Sequence, residues 1–569
     1  MPSPPTNDAR HLPGGDASAR RTSPAARGIS IRDEPAFTPR RLRVVCVGAG
    51  YSGLMIAYKY KYEARSDSFV DLTIYEKNGD VGGTWLENRY PGVACDVPAH
   101  IYTFSFEPNP DWSSFYAGGA EIWQYIKRTT EKYHLDEKVQ FNCTVTSSTW
   151  DDEAGKWRLR VRKGDQTIED EADVLINGSG LLNKWKWPAI QGLHSFRGTL
   201  LHSASWDASF DWTGKRVGII GNGSSGIQIL PRMQPGAGKI VHYIRSPTWI
   251  SSPFLAAMAP EAGRFSYSDE DRARFRRDPQ ELLRLRKTME HGFNQAFYAN
   301  LLGTPQEAAS GRAFEASMRR RLNDDPELCE KLIPTWKAGC RRLTPGEGYL
   351  EALQRPNVAL EFAAISGVTE TGVHTEGGGF QELDAIVCAT GFDVGFVPSW
   401  DVVGKKGVRL ADQWEEEPTA YLSICAPNMP NYFVFNGPNA PVGHGSLLSV
   451  MEWTAEYILR WCRKMATQGI KSVTVDSVAT QEYNAYTQEF LKRTVWASGC
   501  RSWYKNNRRD GIITAMYAGS ILHYKELLES FRTEDFHFEY RGANRFAFMG
   551  NGLTSLERDG GDLAFYVDK

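Results

Sequence analysis

The chain lacks any apolar run near the ~18 residues that cross a bilayer, so no transmembrane helix is expected. No secretory signal is expected either. The first forty residues are rich in Pro, Arg, Ser, Ala and Gly, carry Asp8, Asp16, Asp33 and Glu34, and hold no apolar core. Those acids and prolines argue against an organellar transit peptide as well, and a disordered leader is expected over residues 1–40. Neither sign of charge is in excess: 66 Lys and Arg face 68 Asp and Glu, a formal charge of −2, which favours neither nucleic acid nor an anionic membrane as partner. None of the nine cysteines stands in a Cys-x-x-Cys, which disfavours a dithiol redox centre, a zinc finger and a disulfide reductase. An odd cysteine count without a signal sequence points to a reducing compartment, and a cytoplasmic location is expected. Internal repeats are missing too.

What is present begins with size. At 569 residues the chain exceeds what one core serves, so two or three domains are expected. Hydrophobic content of 41% is ordinary for a globular protein, and 17 Trp suit large planar ligands, although most must simply fill cores.

Two glycine loops stand out. The apolar run Leu42-Arg-Val-Val-Cys-Val leads directly into Gly48-Ala-Gly50-Tyr-Ser-Gly53 and then a helical pattern. Glycines in that order allow a tight turn and bring the backbone close to a pyrophosphate seated on the helix N-terminus. A second strand from Val70 leads to Glu76, near the ~20-residue offset of an acid that binds a ribose hydroxyl. A carboxylate there repels a 2′-phosphate, so the first loop suits FAD or NAD. The second loop, Gly221-Asn222-Gly223-Ser224-Ser225-Gly226-Ile227-Gln228, follows the strand Lys215-Arg-Val-Gly-Ile-Ile. Its next strand, from Lys239, ends in Arg245-Ser246 where an NAD site would place an acid. Arg pairs bidentately with phosphate and Ser adds a further hydrogen bond, so NADPH is preferred here. Two sites of opposite preference describe an electron path from NADPH to FAD.

Val174–Gly180 and Ala385–Asp393 resemble each other: apolar strands ending in small residues, each where the chain would leave or rejoin the first domain. The expected fold is α/β, with two doubly wound Rossmann-like dinucleotide-binding domains and a helical insertion. The FAD-binding domain occupies 41–193 and 385–540, and the NADP-binding domain 194–384. An Arg- and Glu-rich helical insertion is placed at about 254–333, and a Gly-rich tail at 541–569.

Two longer strings flank these loops. Phe196, Gly198, His202, Trp206 and Asp207 stand in the spacing F-x-G-x-x-x-H-x-x-x-W-(P/D). Gly82-Gly-Thr-Trp85, Tyr90-Pro-Gly92 and Asp96 fill G-G-x-W-x-x-x-x-Y-P-G-x-x-x-D. From about residue 40 to 530 the chain resembles type I Baeyer–Villiger flavin monooxygenases, in the branch that serves secondary-metabolite biosynthesis. The resemblance implies FAD, NADPH and O2, a flavin C4a-peroxide, and oxygen insertion beside the carbonyl of a bulky ketone to give an ester or lactone. It also implies FAD contacts from Thr84, Trp85, Asp96, Val97 and Tyr102, with the turn Ala94-Cys95-Asp96 meeting the nicotinamide cofactor as well.

A peroxyanion in a dry site needs a fixed cation, and Arg keeps its proton and a rigid donor fork. By resemblance, the second member of Arg341-Arg342 fills that catalytic role and the first contacts the NADP phosphate. The doubled Arg leaves the assignment open by one residue. Asp96 would then hold and tune Arg342. A helix beginning near Ser446 would aim its N-terminus at the flavin, and His444 just before it reads as a solvated loop residue. Trp503, in a Gly- and aromatic-bearing stretch from Thr494, is a candidate lining of the ketone pocket. Two rivals stay open: hydroxylation of nitrogen or sulfur by a protonated hydroperoxide, and a flavin-binding redox sensor without turnover.

Overall fold

The computed structural model describes residues 31–255, 258 and 266–567; residues 1–30 of the expected leader lie outside them. Two five-stranded parallel sheets carry the fold. The first runs in the order Tyr432–Val434, Val174–Asn177, Leu42–Val47, Val70–Tyr75, Val139–Gln140. Leu42–Val47 is the central strand, where the order of strands reverses. Its C-terminal end therefore opens onto the crevice in which such sheets bind ligands. Strands covered on both faces need continuous apolar runs, and Leu42, Val44, Val45 and Cys46 are all buried.

The second sheet runs Val358–Glu361, Lys239–Tyr243, Arg216–Ile220, Ala385–Cys388, Thr199–His202, again with every pair parallel. Both sheets are doubly wound, as the glycine loops imply. A domain boundary at 385 falls early, however. Ala385–Cys388 lies between Arg216–Ile220 and Thr199–His202, so it completes the second sheet and the chain crosses back just beyond it. There Phe392 bridges Trp185, and the Asp393 N–H donates to the Lys184 carbonyl at 2.7 Å, so the outgoing and returning strands run side by side.

The insertion is helical, with helices Asp269–Arg277, Pro279–Gln295, Pro305–Arg321 and Pro326–Leu332. Each starts from a side chain that satisfies unpaired helix N–H groups, namely Ser268, Asp278, Thr304 and Asp325, and the last three are followed by Pro at the first helical position. The charged helix Pro279–Gln295 is docked, not merely solvated: Leu282 and Met289 are buried, and Arg286 Nε donates to the His100 carbonyl at 3.0 Å.

Residues 31–38 and 542–567 belong to a separate small unit. Within it the Ala36 N–H donates to the Leu553 carbonyl, Phe37 to Phe548, and Asn551 to Glu34. Those backbone bonds correct the expectation of disorder for residues 34–37. Among the described residues no helix is long and apolar enough to cross a membrane, and no group of His, Cys, Asp and Glu is arranged to hold a metal ion.

Candidate functional site

The first loop is shaped by its glycines. Gly48 has φ +102°, and a Cβ on Gly53 would lie 2.1 Å from the Gly48 carbonyl oxygen. Gly50 caps the helix Tyr51–Tyr58, and no side chain from the cap bonds to the N–H groups of its first turn. Glu76 is only 4% exposed and bends back onto this loop. Its Oε2 accepts from the Ala49 N–H at 2.7 Å, and its Oε1 accepts from the Asn78 N–H and Nδ2, both at 2.8 Å. Burial raises the pKa of this carboxyl, while the Ala49 and Asn78 donors act to lower it.

The Gly82–Asp96 string lies against that loop, with Gly83 within 4 Å of where a Gly50 Cβ would sit. Thr84 opens the short helix Thr84–Glu87 and is exposed. Trp85 Nε1 donates to the Tyr102 hydroxyl at 3.3 Å, and Tyr102 stands edge-on to both Trp85 and Tyr51. Val97 packs on the same core. Ala94 bridges Gly118, and the Cys95 N–H donates to the Ala117 carbonyl, which pins the turn carrying Asp96. Burial pushes the Cys95 thiol well up, so it stays protonated.

The second loop repeats the backbone of the first: Gly221 has φ +102°, and a Cβ on Gly226 would lie 2.1 Å from the Gly221 carbonyl oxygen. Gly223 caps the helix Ser224–Met233, whose Ile227 is buried. Asn222 Nδ2 donates to the Ser246 carbonyl at 2.9 Å, Ser224 Oγ lies 2.7 Å from Thr344 Oγ1, and Ser225 lies beside the Tyr90 hydroxyl. Gln228 reaches across to the first domain. Its Nε2 donates to the Ala94 carbonyl at 3.0 Å and its Oε1 accepts from the Tyr90 hydroxyl at 2.8 Å. The residue predicted to touch a cofactor therefore also ties the second helix to the turn bearing Asp96.

At the end of the next strand Arg245 is exposed, and Ser246 Oγ accepts from both Arg341 Nη1 and Nη2 at 3.1 Å. Burial lowers the Arg341 pKa, and the neighbouring Arg245 and Arg501 charges lower it further. Among the described residues neither Arg245 nor Arg341 forms an ion pair with a carboxylate. Cations gathered without a carboxylate suit a polyanionic ligand.

Arg342, one residue on, points the other way. Its Nη2 contacts both oxygens of Asp96, at 2.8 and 2.6 Å. The Asp96 charge makes the Arg342 guanidinium hold its proton more firmly still, with burial opposing. The Arg342 side chain keeps 41% of its surface exposed, whereas that of Asp96 keeps 15%. The cation and carboxylate proposed from sequence are thus in contact, and they come from opposite ends of the chain's crossing.

Over 538 residues the chain is 49% identical to the FAD-binding monooxygenase tazF of Aspergillus terreus, covering 94% of this chain and 96% of that one. Residues 41–261 match the model of the flavin-binding monooxygenase-like family. The chain belongs to that family. This flavin-binding monooxygenase is also 33% identical over 514 residues to a Baeyer–Villiger monooxygenase of Pseudomonas aeruginosa, covering 90% of this chain and 93% of that one. Among solved structures, an oxidised steroid monooxygenase bound to NADP aligns with a TM-score of 0.75 at 28% identity, covering 88% of this chain and all of that one.

The remaining predicted residues of this monooxygenase lie around the crossing and in the loop beyond Thr494. Phe196 and Gly198 lead into the edge strand Thr199–His202, and His202 is wholly buried. Its ring stacks on Trp185 at 4.5 Å, Nδ1 accepts from the Ala204 N–H, and Nε2 lies 3.2 Å from Thr390 Oγ1. Both crossing segments thus meet at one imidazole, which burial holds down to about 4 in pKa. Trp206 packs on the second core, while Asp207 is exposed and accepts from Ser209 in a local turn. Trp503 is half-buried and stands edge-on to Tyr504. Tyr504, missed by sequence reasoning, feels the Arg342 charge, as Tyr102 does. His444 requires correction. Instead of being solvated it is half-buried against Phe297, its Nε2 accepts from the Ile521 N–H at 3.3 Å, and burial brings its pKa down to about 4.

Proposed function

We propose that this flavin-binding monooxygenase holds FAD at Gly48–Gly53 and NADPH at Gly221–Gln228. With O2 it converts a bulky ketone to an ester or lactone by Baeyer–Villiger insertion, as a step of secondary-metabolite biosynthesis. The residues present fit both groups: each loop turns so tightly that a Cβ on its third glycine would strike the loop's own backbone, and the strand ends carry opposite charge. Bound FAD supplies the activated oxygen, and NADPH supplies the hydride that reduces it. Glu76 orients ribose hydroxyls and refuses a 2′-phosphate, whereas Arg245, Arg341 and Ser246 receive one.

The observation that carries the ketone chemistry is the Arg342–Asp96 contact. Arg342 presents a charge that cannot be lost to deprotonation where negative charge develops on oxygen, and Asp96 restricts its swing so that little reorganisation is needed. Gln228 keeps the second helix against the Asp96 turn, which holds the two halves of the site in contact. The activity named for the Pseudomonas relative supports the same reading. Incubation with NADPH, 18-O2 and a ketone panel, followed by mass spectrometry, tests it. One heavy oxygen in an ester or lactone is expected. Heavy oxygen in an N-oxide or S-oxide alone would replace the reading with heteroatom oxygenation, and NADPH use without any oxygenated product would remove both.

A further inference from the structure

Cys340, Arg341 and Arg342 are consecutive, yet their side chains reach three separate parts of the molecule. Arg342 meets Asp96 on the FAD-side turn, and Arg341 meets Ser246 at the end of the second nucleotide strand. Cys340 is disulfide-bonded to Cys500, in the loop that carries Trp503. The two Cα atoms are 6.2 Å apart, an ordinary span for a bridge, and the cysteines are 0% and 1% exposed.

That loop is internally braced. Lys505 Nζ donates to the Ser498 and Arg509 carbonyls, Arg501 Nε to Asn507, Arg509 Nε to Gly499, and the Ser502 N–H to Arg508. So cross-linked a segment moves as a unit. Its polar ties to residues 339–342 are few. Apart from the disulfide there is one bond from Arg341 Nε to the Arg501 carbonyl at 2.6 Å, and Cys340 Sγ lies 3.0 Å from the Ser498 carbonyl, a weak contact even for a free thiol. Trp503 and the buried Tyr504 belong to this unit, and Tyr504 lies within reach of the Arg342 charge.

We propose that the Cys340–Cys500 disulfide is a positioning element for the reaction. It fastens the loop of Trp503 and Tyr504 to the Cys340–Arg342 junction, so that retention of NADP(H) and productive oxygen transfer rise and fall together; this rests on the reading of Arg341 and Arg342 given above. Its reduction loosens both. The step is a two-electron exchange: a dithiol's thiolate attacks one sulfur, the S–S bond breaks, and the dithiol's second thiol completes the exchange, leaving two protein thiols and the oxidised dithiol. Because the sulfurs are enclosed, a dithiol reaches them only when the loop lifts. By reciprocity, a ligand that holds the loop down slows reduction. In a reducing compartment such a bond acts as a switch more readily than as a permanent strut.

Mass spectrometry of a non-reduced digest of protein purified under air should recover Cys340 and Cys500 in one linked peptide pair. Treating the holoenzyme with dithiothreitol, and separately making Cys340→Ser and Cys500→Ser, should weaken NADP+ binding by at least about fivefold, the lower end of coupling between linked sites. The share of NADPH electrons released as hydrogen peroxide should rise in parallel. Dithiothreitol should change nothing further in Cys340→Ser, and NADP+ should slow the labelling of both thiols by iodoacetamide during reduction. Unlinked thiols in the purified protein would overturn the proposal. So would a purely structural pattern, in which the melting temperature falls while NADP+ affinity and the peroxide share stay put. If the serine variants do not fold, reduction of the folded holoenzyme decides alone. NADP+ affinity is read without any ketone, so failure of the Baeyer–Villiger reading leaves this test intact.

Discussion

The two glycine loops are near copies in backbone and opposites in charge. Gly48 and Gly221 share φ +102°, and a Cβ on Gly53 or Gly226 would come equally close to the preceding glycine's carbonyl. The difference lies at the end of the following strand. Glu76 is buried and folded onto its own loop, whereas Arg245 is exposed and is joined by Arg341 arriving from elsewhere in the chain. On the proposed reading, backbone geometry lets a dinucleotide be held and the strand end selects which one. Adjacent arginines then divide between the two halves: Arg341 faces the second loop and Arg342 faces the turn beside the first.

The strongest way to break that division is Arg342→Ala. Flavin reduction by NADPH should remain measurable, because on the proposed reading hydride transfer proceeds without this cation. Oxygenated product should fall by roughly 10²–10³-fold, the usual cost of one preorganised charge donor, and the NADPH consumed should appear as hydrogen peroxide. If Arg341→Ala abolishes product while Arg342→Ala does not, the two roles are exchanged.

Arg245→Ala tests the charge contrast. Loss of a charge-assisted phosphate contact should raise KM for NADPH by roughly 10- to 100-fold and leave KM for NADH nearly unchanged. Equal shifts for both cofactors would show that the residue does not read the phosphate. The shared backbone is probed by Gly53→Ala and Gly226→Ala, each of which forces a Cβ onto a carbonyl oxygen. At an overpacking cost of ~1–3 kcal/mol, Gly53→Ala should yield a protein poor in FAD by absorbance. Gly226→Ala should stay yellow and lose NADPH affinity instead. Flavin loss in both would mean that the loops are not independent.

These contrasts also explain what was legible in the sequence. A glycine loop, its strand and the residue ending the next strand are local, so Gly48–Glu76 and Gly221–Arg245 can be read as strings. The helix starts of the insertion are local too, since each joins a capping side chain to the first turn. Contacts over long separations were not readable as such. Cys340 and Cys500 are 160 residues apart, and cysteine counting pointed away from a bridge. The burial of His444 depends on Phe297 from the insertion and on Ile521 from beyond the loop, neither of which has a sequence signature. The strand Ala385–Cys388 looks like a crossing element because its apolar run and small residues resemble Val174–Asn177. Only pairing shows that each is the strand its sheet uses just before the chain leaves.

The smallest effect sharpens the comparison inside the sheets themselves. In the first sheet Cys46 pairs with Ile74, and at the corresponding place in the second Ile219 pairs with His242. His242 is wholly buried, with Nδ1 3.2 Å from the Ile219 carbonyl and Nε2 2.9 Å from the Tyr349 hydroxyl. A neutral ring protonated on Nδ1 donates to the carbonyl and accepts from the tyrosine, so both nitrogens are satisfied. Burial holds its pKa down to about 4, whereas an unfolded imidazole titrates near ~6.5. Above ~6.5 the ring is neutral in both states and adds no pH dependence. As pH falls through that value the unfolded chain binds a proton that the folded chain refuses, so stability drops until about 4, where the folded ring titrates as well. At pH 5 the loss for one such ring approaches ~2 kcal/mol. His242→Ile, which installs the first sheet's side chain, should lower the melting temperature at pH 7 because the Tyr349 hydroxyl loses its partner, a cost of ~1–3 kcal/mol. It should also narrow the gap between melting temperatures at pH 7 and pH 5, with FAD content unchanged. A gap of the original width would assign the acid sensitivity to His100, His202 and His444, which burial also holds at about 4, and would leave the two sheets equivalent in their response to acid.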